Sequence, residues 1–350
     1  YFNLIKSEIE MYARLFGKDV PESAQKRFDS IYIGGGTPSV AREDEWRVIL
    51  ELLFSSFHIQ SDAEITIEVN PATFDQAKAL SWKRFGINRI SLGAQSFVDS
   101  ELKSMNRLHD GEDTINAVNQ LKQAGFQNIC MDLLVGYPEQ TVESVRRSLH
   151  RLVSSDPQHV SVYLLEIKKG AAIESLCDRG LLQALDDDLS ADMYEMVCDD
   201  LTRHDYEQYE ISNFCRPGRR SIHNMKYWTD GFYLGIGHGA HGRLEALRYS
   251  NQVSFEKYKE SVVAGEFPWE TGLELDPHTR LVEALLMGLR LNQGVDLIAM
   301  SDRYKIDVEE FVLARLGNLI HAGLLEFHGS QMRFTDRGRL LSNVVFERFI

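Results

Sequence analysis

Strand-like and helix-like text alternates through the first two hundred residues, and this limits the fold more than any other feature. Short β-prone runs, SIYIGGG (30–36), EITIEVN (64–70), RISLGAQ (89–95), NICMDLLVG (128–136) and HVSVYLLEI (159–167), punctuate the chain. Between them lie segments of helical periodicity such as EDEWRVILELLFSSF (43–57), DGEDTINAVNQLKQAGF (110–126) and TVESVRRSLHRLVSS (141–155). Strand-helix-strand repeats of this length require right-handed crossovers and a parallel sheet, opened flat or curled into a barrel. Parallel strands are buried on both faces, which fits runs such as VSVYLL that do not alternate polar and apolar.

The first four runs also end in something chemically unusual: three glycines, then Glu68 and Asn70, then Gly93 and Gln95, then Gly136, with Asp132 interrupting an apolar stretch. Any one of these can be a simple turn. Ligands of parallel α/β folds bind beyond the carboxyl ends of the strands, and in barrels the catalytic residues come from those ends. A barrel-like sheet with one site at its rim accounts for the whole series.

After about residue 205 the repeat stops. The stretch YEQYEISNFCRPGRRSIHNMKYWTDGFYLGIGHGAHG (206–242) is rich in glycine, histidine and aromatic residues and reads as functional loop and short strand. Helical text resumes at 277–291 and 307–323, followed by a hairpin-like LLEFHGSQMRFT (324–335) and a closing helix at 336–349. That order suggests a small winged-helix-like domain. The 38 basic and 52 acidic residues give a net charge of −14, which together with the absence of a basic recognition helix argues against nucleic-acid binding.

The longest apolar stretches, such as ALLMGL (284–289), fall short of the roughly 20 residues a membrane-spanning helix needs, and no signal peptide opens the sequence. A cytoplasmic location is therefore expected. Cys130, Cys177, Cys198 and Cys215 form no CxxC pair and no disulfide framework, so reduced thiols are expected. The sequence starts at Tyr1 rather than methionine and is read as a fragment.

The Gly34–Pro38 turn lets backbone amides and carbonyls touch a small zwitterionic ligand, because no Cβ stands in the way. It is not a phosphate loop, having neither the Lys-Ser/Thr nor the GxGxxG spacing. Glu68 and Asp132 are carboxylates in buried strands, which are costly unless paired or ligand-bound. Ribose hydroxyls would satisfy them, and so would a salt bridge to a rim arginine such as Arg107. Gln95 and Arg107 offer an amide and a guanidinium suited to a ligand's polar and carboxylate groups.

The ordered set YIGGGTPS, EVNP, LGAQSF, MNRLH, MDLLVGYPEQT, YEISNFCRPG, HNMKYW and LGIGHGAH resembles the coproporphyrinogen III oxidase-like (HemN/HemW) branch of the radical S-adenosylmethionine superfamily. Within that branch it is most similar to the HemW group of heme chaperones, from about residue 28 to RFTDRGRLLSN near the C-terminus. The resemblance implies an incomplete (β/α)₆ barrel over 1–245, followed by the family's smaller, mainly helical domain over 246–350. It implies that Gly35, Gly36 and Thr37 contact the methionyl end of S-adenosylmethionine, and that Glu68, Gln95, Arg107 and Asp132 complete its site. Gly237, Ala240 and His241 would lie on the adenine side. The family's CxxxCxxC loop, which holds a [4Fe–4S] cluster, matches none of the four cysteines. It is expected upstream of Tyr1, and no cluster ligand can be named in this chain.

The HNxxYW motif of the HemW group, associated there with heme, reads here as His223, Asn224, Tyr227 and Trp228. The arginines of RPGRRS suit propionates, and a neutral imidazole suits iron. The plainer alternative is a loop histidine packed under Trp228. Cys215 could supply a thiolate but reads more simply as a small packed residue. His238 and His241 are metal ligands by type, although the glycines around them suggest close approach of backbone to a cofactor. The implied function is a heme chaperone that delivers heme to an acceptor protein. The alternative is an oxygen-independent coproporphyrinogen III oxidase, an enzyme that would take a porphyrinogen instead. Peripheral association with membrane-bound acceptors and a homodimer are the further partners implied.

Overall fold

The structure is a computed structural model that describes residues 1–349, so Ile350, the end of the expected C-terminal domain, lies outside the described residues. Seven strands make one sheet: β1 (Arg27–Ile33), β2 (His58–Val69), β3 (Arg89–Gln95), β4 (Ile129–Val135), β5 (His159–Leu164), β6 (Glu207–Glu210) and β7 (Asn213–Cys215). Their order is β1-β2-β3-β4-β5-β7-β6. β2, β3, β4 and β5 pair in parallel, whereas β7 joins β5 antiparallel and folds back on β6. The sheet is thus the curled, incomplete barrel that the sequence predicts, with an antiparallel hairpin in place of a sixth parallel strand.

The crossover helices start where their sequences provide caps. Asp110 accepts from the Asp113 amide and Asp113 answers from its own carboxylate, which fixes the start of helix Gly111–Gln123. Thr141 and Ser144 do the same for helix Val142–Ser154. These caps hold the loops that leave the strand ends.

The strands alternate polar and apolar residues, contrary to the sequence expectation. In β2, Glu64, Thr66 and Glu68 alternate with Ile65, Ile67 and Val69, and in β3, Arg89, Ser91 and Gly93 alternate with Ile90, Leu92 and Ala94. β4 and β5 contribute Cys130, Asp132, His159 and Ser161 to the same face. The apolar set packs under helices, while the polar set is also largely buried, Arg89 being only 2% exposed. A strand alternates in this way when one face covers a core and the other lines a polar interior.

The chain divides into two compact units, one comprising 31–43 and 64–220 and the other 1–30, 44–63 and 221–350. The second unit contains a three-stranded antiparallel sheet of β8 (His241–Leu244), β9 (Leu247–Asn251) and β10 (Trp269–Glu274). Tyr249, Tyr258, Ile5, Ile9 and Tyr12 form a core with it. Its C-terminal portion has β11 (Val295–Asp296), β12 (Leu325–His328) and β13 (Gln331–Phe334) beside helices Pro277–Gly288, Leu297–Tyr304 and Val308–His321. Leu285, Val312, Leu316 and Met332 lie at the centre of that core. The closing helix is two pieces, Asp336–Leu340 and Ser342–Phe346, interrupted at Leu341 (φ −101°, ψ 24°). The 206–242 stretch also contains an unforeseen helix, Ile222–Trp228.

Candidate functional site

At the ends of β1, β2 and β3 the expected residues meet in one unit. Gly35 and Gly36 have φ of +86° and +68°, and a Cβ added to either would touch nothing within 4 Å. The turn therefore borders open space. Gly34 is different, since a Cβ there would come within 2.6 Å of the Tyr32 ring and 2.8 Å of Glu68 Oε1. The Glu68 carboxylate accepts from the Tyr32 hydroxyl at 2.8 Å and from the Gly35 amide at 3.0 Å, which sets the shape of the glycine turn. The Asn70 amide donates to the Thr37 hydroxyl at 3.3 Å. Gly93 faces both Asn70 and Gln95, and Gln95 adopts a left-handed backbone (φ +63°) that re-aims its side chain where the β3–β4 register shifts.

Asp132 lies deeper in the same unit and keeps only partial solvent access. Removal from bulk water pushes its carboxyl up to about 6, against the opposing effects of Ser161 and Arg89, and Glu68 pushes it further in the same direction. Cys130 Sγ is 3.0 Å from His159 Nδ1, and His159 Nε2 is 2.8 Å from the Tyr209 hydroxyl. Burial pushes the Cys130 thiol up to about 12 and holds His159 well below its ordinary range. Arg89, 3.8 Å from Glu64, provides the buried positive charge of this interior. Neither Glu68 nor Asp132 pairs with Arg107. That side chain is half-buried near His109, whose imidazole is held low first by burial.

In the other unit, Ser221 caps the helix Ile222–Trp228 and places His223 and Tyr227 on one face, one turn apart. His223 Nδ1 is 3.1 Å from the Ser30 hydroxyl and Nε2 is 2.8 Å from the Tyr227 hydroxyl. Lys226 pairs with Asp29 at 2.5 Å, and Trp228 lies under the Arg290 guanidinium at 4.7 Å. Just beyond the helix, Asp230, with a side chain only 3% exposed, meets Arg243, Arg280 and Arg303 and accepts from the Tyr304 hydroxyl. This network ties the helix's C-terminal end to the C-terminal helices.

The glycine-rich LGIGHGAH turn is held from within. Buried Glu8 accepts from the Gly237 amide, the Asn251 amide and the Tyr258 hydroxyl, and burial still outweighs these bonds and raises its carboxyl. His241 is exposed at the start of β8, and His238 packs edge-on to Tyr1, Phe255 and Tyr258.

The structure therefore brings Gly35, Gly36, Thr37, Glu68, Gln95 and Asp132 into one unit with Arg107, and places His241 and His223 in the other. Of the three arginines of RPGRRS, Arg216 pairs with Asp156 at 2.9 Å and stacks on Tyr206. Cys215 is buried in β7, with its thiol pushed up to about 11 by that burial. Sequence reasoning missed Tyr32, Glu8, Ser30 and Asp230. The strand parity of Tyr32 with Gly34 was the one available signal.

The glycine turn fits a small amino acid with a charged end, since it offers an open cradle, backbone groups and a carboxylate. The described residues do not fit an iron–sulfur cluster, because no three histidine, cysteine, aspartate or glutamate side chains among them are placed to hold a metal. The His223 imidazole has a hydrogen-bonding partner on each nitrogen, Ser30 on Nδ1 and Tyr227 on Nε2.

Residues 9–152 match the sequence profile of the radical SAM superfamily, and residues 275–341 match that of the HemN C-terminal domain. The chain is 31% identical over 332 residues to the heme chaperone HemW of Bacillus subtilis, covering 95% of this chain and 88% of that one. It is 33% identical over 328 residues to that of Lactococcus lactis (93% and 85%), and 30% identical over 345 residues to that of Escherichia coli (95% and 86%). Among solved structures, the Escherichia coli coproporphyrinogen III oxidase HemN, a radical SAM enzyme, has the same fold. Its TM-score is 0.85 over 100% of this chain and 82% of that one, at 22% identity.

Proposed function

Because the chain belongs to the HemW family within the radical SAM superfamily, we propose that it is a heme chaperone that holds heme through His223 and passes it to an acceptor protein. The observation that carries the reading is the His223 helix, a short element with its imidazole oriented by Ser30 and its lysine and tryptophan anchored on either side. A neutral histidine with a hydrogen-bond partner on its other ring nitrogen is the usual form of an axial iron ligand.

The superfamily's cofactors are S-adenosylmethionine and a [4Fe–4S] cluster. In this reading Gly35, Gly36 and Thr37 receive the methionyl end of S-adenosylmethionine. Glu68 orients the turn, and Gln95, Asp132 and Arg107 bind the remaining polar groups. The adenine-side assignment of Gly237, Ala240 and His241 rests on the family resemblance alone. In this reading the chain's own residues bind and orient the nucleoside amino acid, and no step is assigned to the cluster, which the described residues do not hold. We place the domain division near residue 245, the acceptor at or near a membrane, the functional unit as a homodimer and the protein in the cytoplasm. Among the described residues no helix is long and apolar enough to cross a membrane. Sedimentation with and without heme tests the dimer.

The test of function is titration of the protein with hemin beside His223→Ala. A Soret band and saturable binding lost in the variant support the reading, and unchanged affinity removes His223 as ligand. Conversion of coproporphyrinogen to protoporphyrinogen under anaerobic conditions would instead favour the oxidase.

A further inference from the structure

The two nitrogens of His223 are not equivalent. Nδ1 faces Ser30 Oγ at 3.1 Å, and Ser30 sits in β1 with only 9% of its surface exposed. Nε2 faces the Tyr227 hydroxyl at 2.8 Å, with the two rings perpendicular at 89°. The Tyr227 ring is in turn set edge-on against Tyr233, 4.9 Å away. A neutral imidazole has one N–H and one lone pair. With the N–H on Nδ1 donating to Ser30, the Nε2 lone pair accepts the Tyr227 O–H. An iron ligated by Nε2 needs the same tautomer, so it displaces the tyrosine hydroxyl without moving a proton on the ring.

We propose that Tyr227 is a hydroxyl cap on the iron-binding lone pair of His223, and that Ser30 is the positioning residue that fixes its tautomer. The inference rests on His223 being the heme ligand. Heme then enters by exchange: the Tyr227 hydrogen bond breaks as the iron–nitrogen bond forms, and on release the hydroxyl returns to the vacated lone pair. The cap competes with iron for one lone pair, which weakens binding and quickens release. A carrier that must surrender its cargo benefits on both counts. Tyr227 cannot serve as the ligand opposite His223, because its oxygen lies on the same side of the ring nitrogen that iron would approach.

The test is hemin titration of the full chain and of its Tyr227→Phe, Ser30→Ala and His223→Ala variants, with hemin release followed by transfer to apomyoglobin. Removing one neutral hydrogen bond predicts about three- to tenfold tighter binding by Tyr227→Phe, with slower release and an unshifted Soret maximum. Ser30→Ala should bind roughly 10- to 100-fold more weakly, the usual cost of removing the hydrogen-bond partner of a ligating histidine. If His223→Ala binds hemin normally, the ligand assignment fails and this inference fails with it. If His223→Ala loses binding while Tyr227→Phe binds equally or more weakly, only the cap is overturned. Misfolding cannot produce a gain in affinity. As a check independent of any variant, the nitrogen-15 spectrum of apo His223 should show N–H on Nδ1, and a protonated Nε2 would refute the arrangement.

Discussion

Asp132 should make the ligand-free protein less stable at neutral pH than it would be without the charge. Its carboxyl rises from an ordinary 3.8 to about 6 in the fold, chiefly through burial. A group raised in the folded state contributes stability that is fully present below its unfolded pKa and is lost as pH rises through the folded one. The loss therefore runs from about pH 4 to about pH 6, and above that range the folded protein carries an unwelcome charge. At about 1.4 kcal/mol per pKa unit, the shift corresponds to an upper bound of about 3 kcal/mol. Asp132→Asn keeps an oxygen for the Ser161 and Cys130 contacts and removes the charge. Differential scanning calorimetry across pH 4.5 to 8 should show the variant melting a few degrees above wild type at pH 7.5, at roughly 2–4 °C per kcal/mol for a unit of this size. The difference should shrink toward zero as the pH falls to 4.5. A variant less stable than wild type at pH 7.5, or a difference independent of pH, would refute the reasoning.

Other residues make separate predictions. Gly36→Ala must hold φ +68° with a Cβ in open space, so urea melts should show a loss of only about 1–2 kcal/mol, while S-adenosylmethionine binding falls far more. Asp230→Ala removes the carboxylate shared by Arg243, Arg280 and Arg303 but leaves Arg243 its Glu283 partner at 2.7 Å, and chemical denaturation should record a loss of about 1–3 kcal/mol. Burial pushes Cys130 and Cys215 upward, so a thiol reagent at pH 8 should label Cys177 and Cys198 in the native protein and all four only after unfolding.

The fold was legible because strand-helix alternation is a strong local signal, and it pointed to the strand ends because ligands of parallel sheets bind beyond them. The polar interior was harder to read. His159 and Ser161 alternate with Val160 and Val162 in the sequence, yet a segment buried on both sides reads as apolar until the sheet shows which face encloses polar partners. Helix Ile222–Trp228 was hidden by its brevity and by the flanking glycines and aromatics. Glu8, Ser30 and Asp230 could not have been found, because their partners lie 229, 193 and 74 positions away in the chain. The ion pair of Arg216 with Asp156 was equally hidden, because the two lie 60 positions apart.

The central claim, that the unusual residues closing β1 to β4 surround one nucleoside-bearing amino acid, is tested most directly by equilibrium dialysis of the full chain against labelled S-adenosylmethionine. Gly36→Ala, Glu68→Gln, Gln95→Ala and Asp132→Asn should each weaken binding by at least about tenfold, the scale of one lost charged or close-packed contact, while Glu260→Gln on the surface leaves it unchanged. Wild-type affinity in all four site variants would contradict the account.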